Sequence, residues 1–241
     1  MPADRRRLLP DIGTGGVTGR SRPAARRRTG AVVVAGLLSV LAACGGQSTG
    51  QPTSGFTESN PDGMHGAVLT DQYVVPDVAL TATDGSDFSL TKDTTAPLTL
   101  VFFGYTHCPD ICQIVMADIA SALTRLEPEQ QNRVDVLFVT TDPARDDAKT
   151  LREYLDRFNP EFEGLTGDLD TIVAAADEFG VAVEEGAKMP SGGYEVNHGT
   201  QIVAIDGSDR SPIVWTEGTP PEHLAEDLAA LLDQRAESAA P

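Results

Sequence analysis

Apolar positions in this chain fall into two patterns that alternate from Tyr73 onward. Leu98–Phe103 and Val134–Val139 are short, nearly unbroken apolar runs, as expected of strands buried on both faces. Between them Ile111, Val115, Ile119, Ala122 and Leu126 recur at helical spacing, which predicts a helix over Asp110–Leu126. Further helices are expected at about 146–158 and 169–179. Val78–Leu80 and Phe88–Leu90 flank Asp84-Gly85, a hairpin signature. Short strands are expected at Val181–Val183, Gln201–Ile205 and Ile213–Trp215, the last two joined through Asp206-Gly207. Pro221 opens a terminal amphipathic helix that turns Leu224, Leu228, Leu231 and Leu232 to the core. No internal repeat interrupts this order.

The N-terminal segment has a different texture. Arg20–Arg28 is strongly basic, and the 13-residue apolar run Ala31–Ala43 follows, then Cys44-Gly45-Gly46. A positive stretch, an apolar stretch and small residues describe a secretory signal. The run is too short to cross a bilayer, which needs about 20 apolar residues. Leu41-Ala42-Ala43-Cys44 resembles a bacterial lipobox, with Cys44 as the lipidated first residue of the mature chain. Gln47–Pro61 is rich in Gly, Ser, Thr, Gln and Pro and reads as a tether. The expected organisation is a signal peptide over 1–43, a lipidated N-terminus and tether over 44–70, one domain over 71–235 and a frayed tail over 236–241. Such a chain sits on the extracytoplasmic face of the cell membrane, held by its lipid.

Charge narrows the class of partner. The 241 residues carry 18 Lys and Arg against 36 Asp and Glu, a net charge of -18. Eight Arg and only 2 acids precede Cys44, so the remainder holds 10 basic and 34 acidic side chains. A body that acidic repels phosphate backbones, which argues against nucleic-acid binding and suits cationic partners, metal ions included. Three Cys are too few for a disulfide scaffold, so a hydrophobic core must hold the fold. If lipid consumes Cys44, Cys108 and Cys112 remain as a pair.

That pair stands where a buried strand gives way to a helix, in Phe103-Gly104-Tyr105-Thr106-His107-Cys108-Pro109-Asp110-Ile111-Cys112. Pro109 suits a first helical turn, and Asp110 complements the positive end of the helix dipole. The same dipole favours a thiolate at Cys108. Cys112 lies one turn on, at a distance that suits a disulfide or two sulfurs on one ion. Thiol oxidoreductases with paired cysteines at such a junction use two intervening residues; here there are three. Redox exchange and chelation both stay open. A soft dithiolate prefers Cu(I), with Zn(II) possible, and a nitrogen ligand lets the site hold Cu(II) as well. Of the four His, His65 lies in or near the tether and His223 begins the last helix. His107, at the strand end, is expected to point away from Cys108. His198 precedes the strand at Gln201, and spacing alone gives it only an ordinary packed or surface role.

Strand-helix-strand-helix, then a hairpin and a closing helix, is the order of a thioredoxin-like α/β fold, a central mixed sheet flanked by helices in a single domain. From about Val75 to Ala230 the chain resembles the SCO/SenC proteins, copper-binding assembly factors for cytochrome c oxidase. The carriers are Phe102–Cys112, Thr141-Asp142-Pro143-Ala144-Arg145-Asp146, Phe162-Glu163-Gly164-Leu165-Thr166-Gly167 and Val196-Asn197-His198. The resemblance implies copper held by Cys108, Cys112 and His198, and delivery to the dinuclear centre of the oxidase's copper-bearing subunit. Gln113 and Gly199 depart from the family's usual Pro and hydroxyl residue. Asp142 maps to a family acid near the site, as a partner of His198 or as a turn residue. Met116 reads as core, and Met189 as a residue of the Gly-rich loop before His198 with a lesser claim as an axial ligand.

The implied function is a copper chaperone working by ligand exchange rather than a conventional enzyme. The alternative is a thiol-disulfide reductase, in which Cys108 attacks and Cys112 resolves, keeping the acceptor's cysteines reduced. A copper sensor is a third reading. A peroxidase is weaker, because no basic residue is evident near Cys108.

Overall fold

Strand β4 (Leu98–Gly104) is buried along its whole length, and every other layer is arranged around it. The computed structural model describes residues 63–188 and 194–238. In chain order its elements are β1 (Ala67–Val74), β2 (Ala79–Ala82), β3 (Asp87–Ser89), β4, α1 (Ile111–Leu123), α2 (Pro128–Gln131), β5 (Val134–Thr140), α3 (Ala148–Leu155), β6 (Glu163–Thr166), α4 (Leu169–Glu178), β7 (Val183–Lys188), β8 (Tyr194–His198), β9 (Ile202–Asp206), β10 (Arg210–Trp215) and α5 (Pro221–Ser238). Eight strands form one mixed sheet in the order β1-β10-β9-β4-β5-β6-β2-β3; β7 and β8 form a separate antiparallel hairpin.

The sheet is parallel through β4, β5 and β6 and antiparallel where β9 joins β4. Alternation along β4 sorts the core into two layers. Leu98, Leu100 and Phe102 pack with Met116 and Ile119 of α1, Tyr154 of α3 and Leu228 of α5. Val101 and Phe103 pack on the other face with Ile172 and Ala176 of α4, Leu80 and Phe179. Helices on both faces of a mixed sheet give the thioredoxin-like architecture, in a single domain.

Three features depart from the expected elements. β1 begins at Ala67, inside the stretch read as tether up to residue 70. Its period is broken by Thr70, Asp71 and Gln72, where a bulge interrupts its pairing with β10, and an edge strand does not need a continuous apolar face. Helix α1 starts at Ile111, so Pro109 precedes it and Asp110 is its N-cap residue, making no side-chain cap bond. β6, four residues long, and the β7–β8 hairpin lie in segments that lack a sustained apolar period.

The entry of the chain into this domain is fixed by one buried carboxylate. Asp227 of α5 accepts the Trp215 indole N–H at 2.7 Å, the Gly66 N–H at 2.8 Å and the His65 N–H at 2.9 Å. Gly66 admits no side chain, since a Cβ there would lie 2.5 Å from the Trp215 Nε1. The proposed signal, lipobox and Cys44 lie outside the described residues, as do Met189 and the last residues of the tail.

Candidate metal centre

The site begins where β4 runs out of partners. Past Gly104 the backbone turns, with the Cys108 N–H donating to the Tyr105 carbonyl at 3.1 Å. The turn is held from below by Asp146, whose carboxylate is fully buried. It accepts the Thr106 N–H at 2.8 Å, the Thr106 hydroxyl at 2.6 Å and the Thr140 hydroxyl at 2.8 Å. Four oxygen lone pairs facing three donors compensate the cost of burying this acid. Arg145 pairs with Asp142 and lies 5.7 Å over the Tyr105 ring, so the same loop braces the turn a second time.

Cys112 sits in the first turn of α1 and is fully buried; Cys108, just ahead of the helix, is 6% exposed. The Cys112 backbone N–H, one of the donors a helix start leaves unpaired, points at the Cys108 Sγ at 3.5 Å. Both cysteines are free thiols. Gly104 leaves the room they need. A Cβ there would stand 3.2 Å from the Cys112 Sγ and 2.9 Å from the Phe102 ring.

The third donor comes from the far end of the chain. β8 ends at His198, and the β7–β8 hairpin lays that ring against the sulfurs. Its Nε2 is 3.4 Å from the Cys112 Sγ, and its Nδ1 is 2.8 Å from the Gly199 carbonyl. A carbonyl only accepts, so Nδ1 carries the proton and the Nε2 lone pair faces the sulfurs. Phe102 and Tyr105 hold the ring edge-on, with centroids at 6.1 and 5.8 Å. The three donor atoms of Cys108, Cys112 and His198 all lie within 4.8 Å of one another.

The two thiols share one proton. The hydrogen bond from Cys112, aided by backbone N–H groups and opposed by burial, lowers the Cys108 thiol to about 3. The same bond and burial push the Cys112 thiol far above its usual range. At neutral pH the pair is one thiolate and one thiol, and the negative charge sits on the sulfur nearer the surface. Burial, together with the neighbouring thiolate charge, also keeps the Tyr154 phenol protonated.

Other candidates are placed differently. His107 points to Thr106 and Asp146, out of the donor cluster. His65 and His223 stack on each other with centroids 3.8 Å apart, at the start of α5. The Asp142 carbonyl accepts the N–H groups of Arg145 and Asp146, which makes it a turn residue, while His198 takes the Gly199 carbonyl as its partner. Met116 is buried core, and Gln113 is exposed. Asp146 was not singled out from the sequence; only its place in the Thr141–Asp146 block hinted at it. Its partners Thr106 and Thr140 come from two different strand ends.

A comparison with protein-family models matches SCO1/SenC over residues 68–233. The chain belongs to the SCO1/SenC family. It is 35% identical over 108 residues to the mitochondrial SCO2 homologue of Danio rerio, a match that spans 44% of this chain and 39% of that relative. Among solved structures, the apo Sco1 protein of Thermus thermophilus is 30% identical, with a TM-score of 0.63, covering 70% of this chain and 96% of that one. Bradyrhizobium japonicum ScoI, solved with copper bound, is 30% identical, with a TM-score of 0.59, over 66% and 99%. The matched region of this SCO1/SenC chain contains both thiols and the imidazole. Two sulfurs and one nitrogen within 4.8 Å of one another are a donor set suited to a thiophilic ion.

Proposed function

We propose that this protein is a copper chaperone. One copper ion is its cargo, held by Cys108, Cys112 and His198 and passed by ligand exchange to the dinuclear copper centre of cytochrome c oxidase. The observation that carries the reading is the convergence of the three donors within 4.8 Å from elements 86 residues apart. The ion replaces the proton that the sulfurs share, so uptake of copper releases it to solvent. Cys108 is the more accessible sulfur, which suits it to open an exchange with an incoming acceptor ligand. Lipidation at Cys44 anchors the protein to the extracytoplasmic face of the cell membrane, where the copper-bearing subunit receives its metal.

The thiol-disulfide reductase reading rests on the same pair, because a preformed thiolate at Cys108 is also a nucleophile. Anaerobic loading of the reduced full chain in detergent with Cu(I), followed by X-ray absorption, separates the two. One ion with two sulfur ligands and one nitrogen ligand is expected. Failure to retain copper, with rapid exchange against a small disulfide, would replace the chaperone reading by the reductase.

A further inference from the structure

Because β4, β5 and β6 are parallel, the loops that follow them leave the sheet at one end, the end that carries Cys108. A cavity of about 130 Å³ lies there. Its lining comes from three places: Pro143 and Ala144 in the loop after β5, Leu169 and Val173 in α4, and Val183 and Val196 in the β7–β8 hairpin. That hairpin is the one that carries His198. Val183 is the cross-strand partner of His198, and Val196 packs in the same buried cluster as Cys108 and Cys112. The polar side chains of the lining are satisfied within the chain. Thr141 donates its hydroxyl to the Gly104 carbonyl at 3.2 Å, and Asp142 pairs with Arg145. The cavity therefore favours an apolar occupant. Cofactor and small-molecule sites run to about 300–1,000 Å³, whereas about 150 Å³ holds a benzene ring. At about 130 Å³ this cavity suits one side chain of leucine size.

The rim has a charge as well as a shape. Leu169 is 45% exposed, Asp168 and Asp170 on either side of it are exposed too, and so is Glu184 next to Val183. Arg145, the basic residue of the lining loop, is held by Asp142 and lies over Tyr105. From Cys44 onward 34 acidic side chains face only 10 basic ones, so the chain as a whole reinforces the sign of the rim.

We infer that this face docks the polypeptide acceptor of the thiol pair, through one leucine-sized side chain set between Lys or Arg residues. The apolar side chain fills the cavity against Leu169 and Val173, and the flanking cations meet Asp168, Asp170 and Glu184. The inference rests only on the need for a polypeptide acceptor, which the chaperone and reductase readings share, and adds the chemistry that recognises it. The charges steer the partner's arrival, and the buried anchor sets how long it stays. Docking there seats the partner on the hairpin that holds His198.

The test needs no copper. The peptide acetyl-Lys-Lys-Leu-Lys-Lys-amide is added to the reduced, metal-free full chain in non-ionic detergent, and methyl NMR is the readout. Saturable shifts are expected at Leu169, Val173, Val183 and Val196. Replacing the peptide's Leu by Gly should weaken binding by about tenfold, and replacing its Lys by Glu should abolish it. Leu169→Ser, at an exposed position, should weaken binding by about fivefold. Asp168 makes no side-chain cap bond to α4, so Asp168→Asn combined with Asp170→Asn should keep the fold. This double variant should bind about threefold more weakly, with less dependence on salt. Equal binding of the Gly peptide would reduce the effect to attraction between charges and overturn the inference. Shifts centred on other residues, no shifts at millimolar peptide, or unchanged binding by either variant would also overturn it. The same methyl shifts on concentrating the protein without peptide would give the face to a second copy of this chain, against the inference. Each of these results is independent of whether the chain binds copper.

Discussion

The Nε2 of His198 lies 3.4 Å from the Sγ of Cys112, across 86 residues of sequence. Neither residue is placed by the other. Cys112 is fixed by the first turn of α1, and His198 by the last position of β8 together with its own Nδ1 bond to Gly199. Replacing His198 by Ala therefore removes a donor without disturbing either element. Copper affinity should fall by about 10- to 100-fold, while the unfolding midpoint in urea stays close to wild type. Unchanged affinity would remove the imidazole from the site.

The thiol pair should titrate in two widely separated steps. Thiolate absorbance at 240 nm in the reduced, metal-free protein should correspond to one sulfur at neutral pH and disappear only near pH 3. The second sulfur should ionise only in strong alkali. Stability follows from the same shift. An unfolded Cys108 keeps its proton up to about 9, whereas the folded residue has lost it above about 3. The unfolded chain thus binds more protons between those values, and this thiol's contribution is complete above pH 9 and fades as pH falls towards 3. Urea unfolding of the Cys108→Ser variant should lack this dependence; an equal slope would mean that other groups produce it.

Gly104→Ala should damage the site by crowding. Its Cβ would come within 2.9 Å of the Phe102 ring, 3.1 Å of the Phe138 ring and 3.2 Å of the Cys112 sulfur. Overpacking of this kind costs about 1–3 kcal/mol. It should also displace Cys112 enough to weaken copper binding. Gly207→Ala is the control, because nothing lies within 4 Å of its Cβ. Equal behaviour of the two variants in calorimetry and copper titration would refute the packing argument.

Asp227→Ala should be a pure stability variant. It strands the N–H groups of His65 and Gly66 and the Trp215 indole in or at the edge of the core. The loss should be about 3 kcal/mol, read from urea unfolding. Copper affinity at 25 °C should be unaffected in the fraction that remains folded. A loss of affinity without a loss of stability would contradict this division.

Asp146→Asn should loosen the turn that carries Cys108. An amide cannot accept from Thr106 and Thr140 at every position the carboxylate serves, and its own NH2 would face a donor. Copper affinity should drop by about tenfold, with faster alkylation of Cys108. Slower alkylation or unchanged affinity would count against Asp146 as the support of this turn.

The strands and helices that make the core were legible in the sequence because each carries its own period. Leu98–Phe103, Val134–Val139 and the stripe from Ile111 to Leu126 state their burial within a dozen residues, and a Cys at each end of one helical turn is a local fact. β1, β6 and the β7–β8 hairpin were not legible, since an edge or four-residue strand draws its stability from partners elsewhere. The α/β order and the closeness of the two sulfurs can be read from the residues alone, because both depend on backbone geometry over one or two turns. Tertiary contacts alone bring His198 to those sulfurs, put the Asp146 carboxylate under the turn and set which sulfur bears the charge. Those outcomes depend on distances between residues 40 and 86 positions apart, and on desolvation that exists only once the core has closed over them.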